Sequence, residues 1–129
     1  MSPIQVTCAI ILKEGKILAA QRSETMSLPL KWEFPGGKLM EGETEEECLQ
    51  REIQEELNIA IAITSKLTTS IHDYGNFTIA LIPFLAEYTT GEISLQQHRQ
   101  IGWYTRDELQ SLDWAAADIP IVQELFSIL

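Results

Sequence analysis

The chain has 129 residues, 45% of them hydrophobic, and a formal net charge of -10. That length gives one domain, residues 1–129, with room for a sizeable core, and the apolar fraction excludes disorder; the acidity excludes a nucleic acid polymer as partner, because no basic surface is present to release counterions. No apolar run reaches membrane-spanning length, Gln5, Thr7 and Lys13 interrupt any signal-peptide pattern, and Cys8 and Cys48 have no metal-type spacing, so the expectation is a cytoplasmic protein with reduced, packed thiols.

In chain order, residues 5–12 and 16–21 read as two strands joined by a hairpin at Glu14-Gly15. Residues 22–30 form a loop rich in Ser, Thr and Pro. Residues 32–34 are a short strand running into Pro35-Gly36-Gly37, expected as a turn that brings backbone close to another group. Thr44, with Glu47 three residues on, is a capping box, so a helix starts there. It stops near Asn58, the usual second choice to Gly at a left-handed helix end. Strands follow over 59–67, 68–73 and 77–88, with turns at 74–76 and 89–91. Residues 100–104 are a further strand, 105–110 a short helix capped by Thr105 with Glu108, and 118–129 a terminal amphipathic helix.

The helix beginning at Thr44 carries the chemistry. Leu49, Ile53 and Leu57 form its apolar stripe, whereas Glu52, Glu55 and Glu56, at i, i+3 and i+4, share another face. Eight acids lie between Glu41 and Glu56 with Arg51 as the only base. Two like charges 4 Å apart cost about 1 kcal/mol in water and about 4 kcal/mol near a protein surface. A cation would neutralise such a cluster, and all-oxygen donors suit Mg²⁺ or Mn²⁺ better than zinc. The alternative is a solvated charged face. Arg51 can pair with Glu55 one turn on.

The run from Gly37 through Glu43 to Arg51-Glu52-Ile53-Gln54-Glu55-Glu56-Leu57-Asn58-Ile59 resembles the signature of the Nudix hydrolases, MutT-like metal-dependent pyrophosphohydrolases. Every signature position matches except Asn58, where the family usually has glycine. The resemblance implies an α/β fold, an α/β/α sandwich with a mixed β-sheet. It implies metal ligation by Glu52, Glu55, Glu56 and the Gly36 carbonyl. Arg51 would orient the acids by its ion pair, and Glu43 would support the loop at the helix entrance. Glu52 or Glu55 would be the general base. Many MutT-like members carry a further glutamate six residues before a tryptophan; the corresponding residue here is Gln97, which cannot accept a proton.

The implied reaction is Mg²⁺-dependent hydrolysis of a nucleoside triphosphate to the monophosphate and pyrophosphate. Trp32-Glu33-Phe34 and Ala117-Asp118-Ile119-Pro120 resemble segments of the bacterial CTP pyrophosphohydrolases. CTP, dCTP or a modified pyrimidine nucleotide is therefore the expected substrate. The alternatives are 8-oxo-dGTP, dinucleoside polyphosphates and a Nudix-fold binding module without hydrolysis. Arg22, Glu33, Lys38, Phe77 and Asp118 are the substrate-binding candidates. Asp118 could accept a hydrogen bond from a base amine, or simply cap the last helix ahead of Pro120. Arg22 could equally be a surface arginine. His72 and His98 lack ligand-type spacing and read as surface residues. A monomer and a homodimer are both compatible with the sequence.

Overall fold

The computed structural model describes residues 2–129. Its strands are β1 (Ile4–Lys13), β2 (Lys16–Gln21), β3 (Trp32–Glu33), β4 (Gly36–Lys38), β5 (Ala60–Lys66), β6 (Ser70–Asp73), β7 (Thr78–Thr90) and β8 (Gln100–Tyr104). The helices are α1 (Glu45–Leu57) and α2 (Ile119–Ile128), with 3₁₀ turns at Glu108–Ser111 and Ala116–Asp118. The strands make one mixed sheet of order β3-β2-β1-β7-β5, with β4 added to β1, β6 to β7 and β8 to β2. Among the strands of the described residues, only β1 and β7 pair in parallel, from Ile4 opposite Ile79 to Leu12 opposite Glu87.

β1 is buried on both faces, which explains its near-continuous apolar run. Cys8 and Ile10 point into one core, shared with Trp32, Phe34, Trp114, Ile121 and Leu125 beneath α2. Ala9 and Ile11 point into the other, shared with Leu49, Ile53, Leu57, Ile82 and Phe84 beneath α1. The expected apolar stripe of α1 is fully buried. The result is the expected α/β/α sandwich. Glu14 and Gly15 both have positive φ, 52° and 77°, as a two-residue hairpin with matching twist requires.

Three expectations are corrected. Gly36-Gly37 is not a turn: with Lys38 it forms β4, antiparallel to Val6–Cys8 of β1. An alanine Cβ at Gly36 would lie 1.9 Å from the Thr7 carbonyl oxygen, so these glycines serve close packing. The expected 105–110 helix is only a 3₁₀ turn, although Thr105 and Glu108 do exchange the two capping hydrogen bonds. The 89–91 turn begins later, because β7 continues to Thr90.

Candidate active site

The start and end of α1 are fixed as its sequence demands. Thr44 Oγ1 accepts from the Glu47 amide at 3.1 Å, and Glu47 Oε1 accepts from the Thr44 amide at 2.9 Å. Asn58 adopts the left-handed conformation, φ 61°, so the departure from glycine preserves the helix end. The glutamate face is then set against β4. A Cβ at Gly37 would sit 2.0 Å from Glu52 Oε2, so only glycine leaves room for that carboxylate.

Arg51 organises the acids. Its Nε and Nη2 donate to the two oxygens of Glu43 at 2.7 and 2.9 Å, and its Nη1 donates to Glu52 at 2.6 Å and Glu55 at 2.9 Å. These bonds, led by that from Arg51, hold the Glu43 carboxyl down at about 2. Glu43 also accepts from the Met40 amide, so it ties the loop to the helix directly.

Glu56 is the contrasting acid. It is buried, and its Oε2 has no hydrogen-bond partner among the described residues. Burial, then the charges of Glu33 and Glu52, raise its pKa to about 8. A buried carboxyl with a free oxygen suits a divalent cation, which would supply the missing counter-charge. Glu52 and the Gly36 backbone line the same cavity. The residues therefore fit a hard, oxygen-seeking ion.

The expected cluster of Glu52, Glu55 and Glu56 is nevertheless not closed. Among the described residues no three Asp, Glu, His or Cys side chains converge as a metal site. Arg51 Nη1 bridges Glu52 and Glu55, and Glu56 stands apart from that pair without a partner for Oε2. Glu55 is exposed and lies off the cavity wall.

That cavity, of about 450 Å³, gathers most of the remaining candidates. Glu52, Glu56, Gly36, Gly37 and Lys38 line it, as do Arg22, Glu33, Phe77, Gln97 and Asp118. Arg51, Glu43 and Glu55 stand outside it. Arg22 is no free surface arginine: it donates to Glu33 Oε1 at 2.7 Å and to Ser27. Asp118 makes no side-chain cap on α2. Instead its Oδ2 accepts from the Phe34 amide at 3.0 Å. Burial, and then the Glu33 charge, push its pKa well above the usual carboxylate range.

Two residues carry more than the sequence indicated. Tyr74 lines the cavity and stacks on Phe77, with ring centroids 5.3 Å apart, while its hydroxyl accepts from the Ala117 amide at 2.9 Å. His98 is not a surface residue. It is buried, with Nε2 2.8 Å from Glu33 Oε2. No local signal marks that contact, since its partner lies 65 positions away. His72 is half-buried and packs edge-on against Tyr74.

A mixed sheet between two helices, with an arginine-organised glutamate helix packed on paired glycines beside a cavity, is the arrangement that the sequence resemblance implied for a family of hydrolases. The NUDIX domain family profile matches residues 6–124, and this chain belongs to the Nudix hydrolase family. It is 30% identical over 128 residues to the CTP pyrophosphohydrolase of Escherichia coli K12, covering 99% of this chain and 95% of that protein. It is 35% identical over 114 residues to a putative 8-oxo-dGTP diphosphatase 2 of Mycobacterium tuberculosis, covering 88% and 81%. The solution structure of a MutT protein of the Nudix family from methicillin-resistant Staphylococcus aureus 252 is 41% identical. It superposes with a TM-score of 0.80 over 99% of this chain and 98% of that one. No helix among the described residues is long and apolar enough to cross a membrane.

Proposed function

We propose that this enzyme is a Mg²⁺-dependent nucleoside triphosphate pyrophosphohydrolase acting on CTP, dCTP or a modified pyrimidine nucleotide, with Mn²⁺ as a substitute ion. The observation that carries the reading is one cavity lined by Glu52 and Glu56 as well as by Asp118 and the Tyr74–Phe77 pair. Phosphate-directed acids and a base-sized apolar wall with one buried carboxyl suit the two parts of a nucleotide. The ion, when bound, neutralises phosphate oxygens and lowers the pKa of a coordinated water.

The chain's own groups then have distinct tasks. Glu52, Glu56 and the Gly36 backbone would hold the ion, with Glu55 as a further carboxylate on the same helix. Arg51 and Glu43 keep Glu52 oriented. Of the two candidates for general base, Glu52 lines the cavity and Glu55 does not, which favours Glu52 as proton acceptor from water. Arg22 and Lys38 supply positive charge for phosphate oxygens. Asp118 faces the base, where a carboxyl can pair with cytosine N4. The similarity to the E. coli CTP pyrophosphohydrolase supports this choice. The partner in this reading is a small nucleotide in the cytoplasm, and the enzyme works as a monomer or homodimer.

A second reading, sanitation of 8-oxo-dGTP, is favoured by the M. tuberculosis relative, and guanine also offers an exocyclic amine. Pyrophosphate release with Mg²⁺ across CTP, dCTP, 5-methyl-dCTP, 8-oxo-dGTP and the common nucleotides separates the two. Cytidine-selective release, lost in Glu52→Gln, is the expected result. Selective release from 8-oxo-dGTP would transfer the assignment to the second reading, and no release from any nucleotide would overturn both.

A further inference from the structure

His98 sits beside Gln97 in the segment leading into β8 and has a buried side chain, 1% exposed. Its Nε2 is 2.8 Å from Glu33 Oε2, and its Nδ1 is buried without a partner among the described residues. The ring is thus anchored by one bond. A carboxylate only accepts, so the imidazole Nε2–H is the donor. Glu33 Oε1 is taken from the other side by Arg22 Nη1 at 2.7 Å. One donor would leave the carboxylate free to swing; a donor on each oxygen fixes its plane.

What Glu33 does separates this contact from ordinary core packing. A polar side chain buried for packing alone is costly unless paired, and here the partner lines the cavity with Arg22 and Gln97. A rotation of Glu33 would release Arg22 and reshape the cavity wall that the two residues line together.

We infer that His98 is a positioning residue: through Nε2–H it locks the Glu33 carboxylate on the cavity wall, and so sets the geometry of Arg22 for nucleotide binding. It touches no reacting atom and acts through Glu33. The inference rests on the nucleotide-hydrolysing reading for its kinetic consequence, but not for the contact itself.

The test compares the wild type, His98→Leu, His98→Gln, Glu33→Ala and the His98→Leu/Glu33→Ala double variant, using Mg²⁺ and the best nucleotide of the panel. A hydrogen bond to a charged group supports an expected rise in KM of about tenfold in His98→Leu, with kcat changed less than about threefold. His98→Gln, which keeps an N–H donor, restores most of the affinity. In the Glu33→Ala background, His98→Leu adds less than about twofold, because the residue through which it acts is already lost. An unchanged KM in folded His98→Leu, or effects of the two substitutions that simply multiply, would overturn the inference. A readout independent of turnover, and of whether His98→Leu folds, is the imidazole N–H proton of ¹⁵N-labelled protein. A slowly exchanging resonance in the wild type that disappears in Glu33→Ala, which removes the acceptor, is expected; its absence in the wild type would refute the contact. If the wild type hydrolyses no nucleotide, the functional reading fails while this resonance still decides the His98–Glu33 bond.

Discussion

Arg51 holds both carboxylate oxygens of Glu43, with Nε 2.7 Å from Oε2 and Nη2 2.9 Å from Oε1. Its third nitrogen is thereby aimed at Glu52 and Glu55. Lysine offers a point charge and cannot reproduce that fork. Arg51→Lys and Glu43→Gln should each lower metal affinity or turnover roughly 10–100-fold. Metal titration followed by initial rates would measure both.

The same pair predicts acid behaviour. The Glu43 carboxyl titrates at about 2 in the folded protein against 4.5 for the free side chain. A lowered acid contributes stability that is complete above pH 4.5 and lost as pH falls toward 2. Glu43→Gln removes that contribution. Its unfolding midpoint should vary less across this window than that of the wild type, as chemical denaturation at stepped pH would reveal.

Glu56 should give the opposite slope. Its pKa is raised from 4.5 to about 8, so in chelator the protein loses stability as pH climbs through that interval. Glu56→Gln abolishes the loss and should make the metal-free protein more heat-resistant at the alkaline end. It should also weaken stabilisation by Mg²⁺, which in the wild type grows with pH as the carboxyl ionises. Thermal melts with and without Mg²⁺ test all three points; a wild-type melting temperature that rises with pH in chelator would contradict them.

The paired glycines should fail differently. At Gly37 an added methyl meets the Glu52 side chain, 2.0 Å from Oε2, which can be pushed aside. At Gly36 it meets backbone, 1.9 Å from the Thr7 oxygen. Gly37→Ala should remain folded but lose most activity, whereas Gly36→Ala should lose the fold first. Circular dichroism and turnover on the two variants distinguish the cases.

Asp118 predicts a split between stability and selectivity. Asp118→Ala leaves the buried Phe34 amide without its acceptor, at a cost of about 1–3 kcal/mol. Asp118→Asn retains an acceptor and removes a carboxyl that burial disfavours, so it should be at least as stable as the wild type. Both should erode discrimination among bases in the pyrophosphate assay. Unchanged selectivity in Asp118→Asn would remove Asp118 as the base reader.

Local chemistry made most of the framework legible. The capping box at Thr44, the Leu49-Ile53-Leu57 stripe, the left-handed Asn58 and the Glu14-Gly15 hairpin are all written within one or two turns of chain. The departures arise where a distant partner decides. Pro35-Gly36-Gly37 has turn composition, but β1 is waiting beside it. Asp118 has the neighbours of a helix cap, but the Phe34 amide takes its carboxylate. His98 looks solvent-facing because Glu33, which buries it, is remote in sequence.

The bond between Phe34 and Asp118 joins residues 84 positions apart. Glu56 and Gly36, by contrast, lie on elements consecutive along the chain, β4 and α1. In the proposed reading, the residues assigned to the ion are joined by local chain, whereas the carboxyl assigned to the base reaches Phe34 only when the last helix packs onto the sheet.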